Sequence, residues 1–336
     1  MKPMLKAPLL AVPMLLAALP LAPAAAAPCA AGSYQVIALP FRPAALNEAL
    51  AVVGTSKRHR ATLWTAQSGV RELPLPQGFD VSEAVSINES GRVLAVAYDR
   101  TFTRHQAFTF SGEAIALLPG EQTRAFKIAR SGEIAGESLV PGKLTTEPVT
   151  WTHAGLRPVG GCCGGSAVDV NQRGETVGDA YDAQGHYHAF RSTRSGGLEI
   201  LVPSERYSSA IAINERGHVL LQAGRQTLWF VAGTLSPVTL AAKSRSHPRA
   251  INDHDMIVGS FGPYSDADRA FLWDRSFGFR DLNQLIRADS GWKLESAVAI
   301  NEAGAIVGKG DHDGEEDSGF LLVPEPRSAR ACAPVP

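Results

Sequence analysis

The chain carries almost no excess of charge of either sign, because 32 lysines and arginines stand against 33 aspartates and glutamates in 336 residues. A nucleic-acid-binding protein normally presents a basic face, so this balance argues against DNA or RNA as a partner. No segment shows a convincing run of apolar residues at helical spacing. The chain therefore lacks the pattern of a helical domain.

The common catalytic motifs are absent as well. The sequence has no Gly-x-Ser-x-Gly nucleophile elbow and no His-Glu-x-x-His zinc motif. The segment from Gly136 to Lys143 resembles a phosphate-binding loop, but it has one intervening residue too many. Leu144 also stands where serine or threonine would bind magnesium. We therefore predict no catalytic residues and favour binding over catalysis.

What the chain does contain is a motif that recurs seven times, an aliphatic residue followed in most copies by asparagine. The anchors are Leu46-Asn47, Ile87-Asn88, Ile128-Ala129, Val170-Asn171, Ile213-Asn214, Ile251-Asn252 and Ile300-Asn301. Successive anchors lie 41, 41, 42, 43, 38 and 49 residues apart, and glycine follows three residues later in five copies. Repeats of this length are typical of a solenoid, an array or a propeller.

The fourth copy predicts four short antiparallel strands. Val168 and Val170 alternate with a polar residue, and Asn171 to Gly174 has the chemistry of a tight turn. The later strands are expected at Glu175 to Gly178, His188 to Phe190 and Leu198 to Val202. Four-stranded sheets repeated around an axis protect their strand edges, which favours a β-propeller.

The seventh copy lacks a fourth strand, because the chain becomes polar after Val323. The missing strand stands at the other end, where Tyr34 to Pro40 reads like Leu198 to Pro203. We therefore predict an all-β fold, a seven-bladed propeller of four-stranded antiparallel blades that the N-terminal strand closes.

This pattern resembles the HAF-type extracellular repeat family of bacteria. The family takes its name from the His-Ala-Phe of the third strand, which stands here as His188-Ala189-Phe190, and Ile213 to Gly217 is similar to its turn. The resemblance covers residues 34 to about 323. It implies secretion and a propeller-like fold, and it implies no catalytic residue.

The N-terminus has the pattern of a secretory signal. Lys2 and Lys6 precede an apolar run from Leu9 to Leu21, and Ala24 and Ala26 offer a cleavage site. We expect a signal peptide at residues 1–27, a single propeller domain at 28–326 and a tail at 327–336. The mature protein is expected to be secreted or periplasmic, monomeric and without a membrane span.

Four cysteines in an exported chain suggest disulfides. Cys29 precedes the N-terminal strand and Cys332 follows the last one, so pairing of these strands would bring both to one face. We predict a Cys29–Cys332 bridge. For the vicinal pair Cys162-Cys163 we favour an irregular loop, with free thiols or a local disulfide, over a redox or metal site.

Variable loops are expected on one face of the propeller, where the second-to-third-strand loops and the blade-to-blade connections meet. Loops on a rigid scaffold commonly carry function. We therefore predict that ligand-binding residues lie on this face, at Arg58, Asp99, Asp182, His186 and Trp292.

Two groups could hold a metal ion. Asp311, Asp313 and Glu315 belong to an acidic segment whose carboxylates could bind calcium, although the segment lacks the full spacing of a calcium loop. His186 and His188 lie two residues apart, so they would share one strand face, and Asp179 and Asp182 are nearby. His105 takes the same repeat position as His188 in our alignment, which favours a structural role. We expect no cofactor other than calcium.

These features predict an exported binding or interaction module with an unknown extracellular protein or glycan as its partner. The alternative is a propeller-type hydrolase or lyase that acts on an extracellular glycan.

Overall fold

In the computed structural model the described residues are 33–160, 163–194, 197–238, 240, 245–262 and 268–325. They form seven four-stranded antiparallel sheets. We number these blades in chain order. Blade 1 contains β2 (Phe41–Leu46), β3 (Val52–Ser56), β4 (Ala61–Thr65) and β5 (Gly69–Glu72). Blade 2 contains β6 (Val81–Ile87), β7 (Val93–Tyr98), β8 (His105–Ser111) and β9 (Ala114–Leu117).

The next blades repeat this order. Blade 3 contains β10 (Glu121–Ile128), β11 (Ile134–Leu139), β12 (Thr146–Thr152) and β13 (Gly155–Pro158). Blade 4 contains β14 (Gly165–Val170), β15 (Thr176–Tyr181), β16 (Tyr187–Ser192) and β17 (Leu198–Ile200). Blade 5 contains β18 (Ser208–Ile213), β19 (Val219–Ala223), β20 (Gln226–Val231) and β21 (Thr234–Pro237). Blade 6 contains β22 (Arg245–Ile251), β23 (Ile257–Gly262), β24 (Arg269–Asp274) and β25 (Gly278–Asp281), with a 3-10 turn at Leu282–Gln284.

Blade 7 joins the two ends of the chain. It contains β26 (Trp292–Ile300), β27 (Ile306–His312), β28 (Glu315–Pro324) and β1 (Tyr34–Leu39). The register of β1 against β28 runs from Tyr34 opposite Pro324 to Leu39 opposite Gly319. The prediction of a seven-bladed propeller closed by the N-terminal strand is therefore confirmed. Among the residues described, no helix is long and apolar enough to cross a membrane.

Glycine is required at two positions of the repeat for different reasons. In the first turn Gly174 has a φ of +72°, which a residue with a side chain rarely adopts. In the second strand a Cβ on Gly178 would lie 2.0 Å from the Ser166 carbonyl oxygen and 2.9 Å from the Phe190 ring. This glycine lets β14 and the Phe190 side chain pack closely. Asp255 keeps the turn of blade 6 with a φ of +62°, as its tolerance of that region suggests.

A ring of six asparagines joins neighbouring blades, and each asparagine lies just after the first strand of its blade. The Nδ2 atom of Asn214 donates to the Asn252 carbonyl at 3.0 Å, and Asn252 donates in the same way to the Asn301 carbonyl. Asn301 continues the ring to Asn47 at 3.2 Å, across the junction between the last blade and the first. These asparagines are buried. The repeated residue thus supplies one hydrogen bond at six of the seven blade-to-blade contacts.

The ring is broken at blade 3, where Ala129 has no amide to donate. The bond from Asn88 to the Ala129 carbonyl is also the longest in the ring, at 3.5 Å. Blades 3 and 4 are joined further from the axis instead, because Arg194 pairs with the buried carboxylate of Glu133 at 2.7 Å. An ion pair therefore joins the two blades where the asparagine contact is missing.

Candidate functional site

The two faces of the propeller differ in what they carry. The asparagine turns and the third-to-fourth-strand turns form one face, which we call the turn face. The second-to-third-strand loops and the blade-to-blade connections form the other, which we call the loop face. The first strands of the blades surround the axis between the two faces, so each face has its own axial opening.

The loop face opens into a cavity of about 920 Å³ beside the first strands of blades 1 to 3. Ala84, Val85 and Phe126 supply apolar surface, and Arg124 and Glu83 supply charge. The loops β3–β4 and β27–β28 and the connection from β1 to β2 also line the wall. This volume matches pockets that hold small organic ligands.

Ion pairs between blade 1 and blade 7 line one side of the cavity. Lys57 pairs with Glu315, and Arg42 pairs with Asp317. All four side chains are more than 40% exposed. Exposed ion pairs contribute little to stability, so an incoming ligand could displace them at small cost.

Arg58 and Asp99, two of the predicted ligand-binding residues, lie on the loop face but outside this cavity. Arg58 is exposed in the loop between β3 and β4. Asp99 organises the loop between β7 and β8, where its Oδ1 accepts from the Thr103 and Arg104 amides at 2.9 and 3.2 Å. Burial raises the pKa of Asp99, but hydrogen bonds from Arg104, Thr101 and Thr103 outweigh it and hold the pKa below its usual value.

The structure brings Asp182, His186 and His188 together at the loop between β15 and β16. The Asp182 Oδ2 atom lies 3.0 Å from His186 Nδ1 and 3.2 Å from His188 Nε2. Its Oδ1 accepts from the Gln184 and His186 amides at 2.9 and 2.8 Å. Burial alone would raise the pKa of Asp182, but the hydrogen bonds from His186, His188 and Gln184 lower it to about 2.

The repeat position assigned to His188 was wrong by one residue. Phe108 and Phe190 stand opposite equivalent residues of the second strand, Ala95 and Gly178. Counting back from the phenylalanine, Gln106 corresponds to His188, and His105 corresponds to Tyr187. A shift of one residue along a strand moves a side chain to the other face. The repeat therefore supplies no reason to treat His188 as structural.

The residues predicted for calcium each have a different partner. Asp311 accepts from the Gly314 amide at 3.0 Å, Asp313 lies next to Gly291, and Glu315 pairs with Lys57. The structure thus shows these three carboxylates in separate contacts.

Trp292, the last predicted ligand contact, is half-buried at the start of β26. Its ring stacks on His312 at 4.4 Å and meets Phe320 edge-on at 5.9 Å. Trp292 therefore packs against the core of blade 7, while His312 lines the cavity.

A second ring, which we did not predict from the sequence, surrounds the axial opening of the turn face. The residue after the anchor is acidic in five blades: Glu48, Glu89, Glu215, Asp253 and Glu302. All five carboxylates accept from a main-chain amide of the preceding blade, as Glu302 does from Asp253 at 2.8 Å and Asp253 does from Glu215 at 2.7 Å. The recurrence of an acidic residue after the anchors is a sequence pattern from which this ring could have been predicted. These hydrogen bonds make the ring a contact between blades.

A buried carboxylate joins blade 4 to blade 5 close to the Asp182 cluster. Asp179 accepts hydrogen bonds from the Ala210 amide at 2.8 Å, from Tyr187 at 2.9 Å and from Ser209 at 3.1 Å. Burial is the largest influence and raises the pKa of Asp179 to about 6, although these three hydrogen bonds lower it.

Asp179→Asn should therefore gain stability relative to the wild type as the pH rises. The folded protein holds the Asp179 proton up to a higher pH than the unfolded chain, so wild-type stability falls between about pH 4 and 6. The variant lacks this loss, and we expect a relative gain of up to about 3 kcal/mol in the free energy of unfolding by pH 7. Urea unfolding across this range measures it.

Asp99→Asn is the matched control, because the pKa of Asp99 is lowered and the sign reverses. That variant should lose stability relative to the wild type as the pH rises from acid conditions to the ordinary aspartate pKa of 3.8, and the difference should be constant above it. A pH-independent difference for Asp179→Asn would contradict the role of its burial.

The fold and its open axial cavity place the chain in the class of seven-bladed β-propellers. The structure is similar to virginiamycin B lyase from Staphylococcus aureus, with a TM-score of 0.57, 12% identity and coverage of 86% of this chain and 99% of that one. It is also similar to YCF48 in complex with the D1 peptide, with a TM-score of 0.55, 11% identity and coverage of 88% and 96%. The putative TolB from Agrobacterium tumefaciens gives a TM-score of 0.50 at 11% identity, with coverage of 80% and 99%.

At such identities the likeness shows the fold alone. No protein-family model matches the chain, and comparison with curated proteins gives no match.

Proposed function

We propose that the protein is a binding module whose ligand enters the axial cavity of the loop face. The observation that carries this proposal is the cavity of about 920 Å³ beside the first strands of blades 1 to 3. Its position suits a preformed site, because the asparagine ring holds these strands in place. A rigid site loses little entropy when it binds.

The chemistry of the wall favours a peptide or a glycan chain as the ligand. Arg124 and Glu83 offer charges of both signs, and Phe126, Ala84 and Val85 offer apolar contact. Such a mixture suits a ligand with polar groups on an apolar frame. The complex of YCF48 with the D1 peptide is a precedent for peptide binding by a propeller of similar fold.

Exposed apolar side chains on the loop face favour a macromolecular partner. Phe102, Leu144, Tyr181 and Tyr207 are large, exposed and carried by loops or strand ends of blades 2 to 5. Aromatic residues are enriched in protein interfaces, since they combine large contact areas with few rotatable bonds. A peptide held in the cavity could therefore belong to a larger protein that also covers these side chains.

The test is a thermal-shift screen of short peptides and oligosaccharides against the wild type, Arg124→Ala and Arg58→Ala. Both arginines are exposed on the loop face, but Arg124 lines the cavity and Arg58 does not. A bound ligand should raise the Tm of the wild type and of Arg58→Ala equally, and that of Arg124→Ala by much less. Loss of the shift in Arg58→Ala with retention in Arg124→Ala would place the site outside the cavity.

A hydrolase or lyase is the second candidate, because His59, His312 and Glu83 line the same cavity. Catalysis needs an acid and a base that converge on the reacting atoms. Glu83 instead accepts a hydrogen bond from Tyr98 at 2.5 Å, and Glu315 and Asp317 are ion-paired. If the wild type cleaves one of the screened oligosaccharides and Glu83→Gln does not, the result would favour an enzyme.

We also propose that the protein is exported, as its N-terminal sequence and its resemblance to the HAF-type family imply. Residues 1–27, Cys29, Cys162 and Cys332 lie outside the described residues. The proposed Cys29–Cys332 bridge is favoured by the chain ends that are described, since the Glu325 amide donates to the Ser33 carbonyl at 2.9 Å. N-terminal sequencing and non-reducing peptide mapping of the exported protein test both points.

A further inference from the structure

We propose that Asp182, His186 and His188 bind a first-row transition metal ion of the Zn²⁺ type at the edge of blade 4. One oxygen and two imidazole nitrogens of these residues lie within 4.8 Å of one another. The cluster lies between blades 4 and 5, away from the cavity walls of blades 7, 1, 2 and 3. It is therefore a second site, independent of the proposed ligand cavity.

The spacing of the donor atoms fits such an ion. Metal–ligand bonds of about 2.0–2.1 Å place neighbouring ligands of a tetrahedral Zn²⁺ roughly 3.3 Å apart. Asp182 Oδ2 lies 3.0 Å from His186 Nδ1 and 3.2 Å from His188 Nε2. Small side-chain shifts would bring all three donors to the ion.

The donor types select the class of metal. Two imidazoles and one carboxylate suit zinc, copper, nickel and iron, whereas calcium and magnesium prefer oxygen ligands. Three protein ligands leave a coordination position for water or an outside donor. The side chains of Asp182 and His186 are partly exposed, so that position faces solvent.

Contacts around the three residues favour their binding of a metal ion. The second carboxylate oxygen of Asp182 is held by the Gln184 and His186 amides, which orients Oδ2 towards the rings. The Nδ1 atom of His188 is buried without a hydrogen-bond partner. The His188 proton can therefore move from Nε2 to Nδ1 at the cost of one hydrogen bond, the bond from Nε2 to Asp182 Oδ2, and a metal ion bound by both atoms would replace that bond.

Arg206 opposes metal binding in the metal-free protein. Its Nε–H donates to His186 Nε2 at 3.2 Å, so the proton of a neutral His186 stands on Nδ1, facing Asp182. A metal at Nδ1 requires that proton on Nε2, where Arg206 could no longer donate. Arg206 is exposed and can turn into solvent.

The equivalent loop of blade 2 has the same aspartate but lacks the two histidines, so it shows how this loop is held in their absence. Asp99 and Asp182 both lie eleven residues after their anchors, and both cap their loop. Asp99 accepts from the hydroxyls of Thr101 and Thr103, where Asp182 accepts from two imidazoles. Gln106, the counterpart of His188, donates to Thr123 in the next blade at 2.8 Å. The histidines are thus not needed for the loop itself.

The test titrates Zn²⁺ into the untagged, chelator-treated protein by calorimetry, and Co²⁺ by visible absorption. We expect one saturable equivalent, with imidazole ligation visible in the Co²⁺ spectrum. His186→Ala and His188→Gln should each weaken Zn²⁺ binding by at least about tenfold. Arg206→Ala should tighten it several-fold, because the competing hydrogen bond and a nearby positive charge are lost.

Asp99→Asn is the matched control, and its Zn²⁺ affinity should equal that of the wild type. His186 lies on a partly exposed loop, so His186→Ala should fold even if the buried His188→Gln does not; thermal melting checks both. Absence of a stoichiometric Zn²⁺ site in the wild type, or unchanged affinity in His186→Ala, would overturn the proposal.

Discussion

Internal deletion of Tyr34–Leu39 should abolish cooperative folding or lower the Tm by more than about 10 °C. The deletion removes β1, exposes the edge of β28 and leaves blade 7 with three strands. Tyr34 and Leu39 are buried in two different core clusters. Burial of each large apolar side chain contributes roughly 1.5–3 kcal/mol. For these two side chains the loss is about 3–6 kcal/mol, which approaches the lower end of the stability of a typical domain, about 5–15 kcal/mol.

The measurement is thermal and urea unfolding of the deletion variant beside Gln35→Ala. Gln35 is exposed in the same strand, so its substitution should leave the Tm almost unchanged. A synthetic peptide of residues 33–40 should restore part of the lost Tm, whereas a scrambled peptide should not. A deletion variant that melts like the wild type would show that β1 does not close the ring.

Asn301→Ala should lower the free energy of unfolding by about 2–4 kcal/mol, because buried polar groups lose their partners. Asn301 donates to the Asn47 carbonyl at 3.2 Å and accepts from the Ala305 amide at 2.8 Å. The first bond joins blade 7 to blade 1, and the second holds the turn. The loss should appear as a lower urea midpoint with an unchanged slope.

Ala129→Asn is the converse experiment, since it supplies the amide that the ring lacks in blade 3. A restored bond to the Asn171 carbonyl should add about 1 kcal/mol. Ala303→Ser, at an exposed position of the Asn301 turn, should change little. If Asn301→Ala were no more harmful than Ala303→Ser, the ring would not be a stabilising contact.

The order of the strands predicts on which face the loops lie, but it does not predict the position of the cavity. The cavity lies between loops of blades 7 and 1 and first strands of blades 1 to 3. Glu315 and Lys57 are 258 residues apart, and they meet only because the ring closes. No local pattern marks such residues as neighbours. The prediction of Arg58 shows this limit: its loop was correctly placed on the loop face, but its side chain lies outside the cavity.

The error at His188 has a similar cause. Strand positions alternate between faces, so an alignment that slips by one residue transfers a side chain to the wrong face. Matching His105 with His188 made a structural role plausible. The register, which pairs Ala97 with Gln106 and Ala180 with His188, corrected the match.

The sequence by itself determined the number of blades, the strand order, the turns and the strand that closes the ring. These features depend on residues close together in the chain, such as the turn from Asn171 to Gly174, or on the count of repeated units. The tertiary structure alone decided which residues meet across blades, including the six hydrogen bonds of the asparagine ring. It also turned His188 towards Asp182. Such contacts depend on how the blades are positioned around the axis, which no segment of the chain encodes on its own.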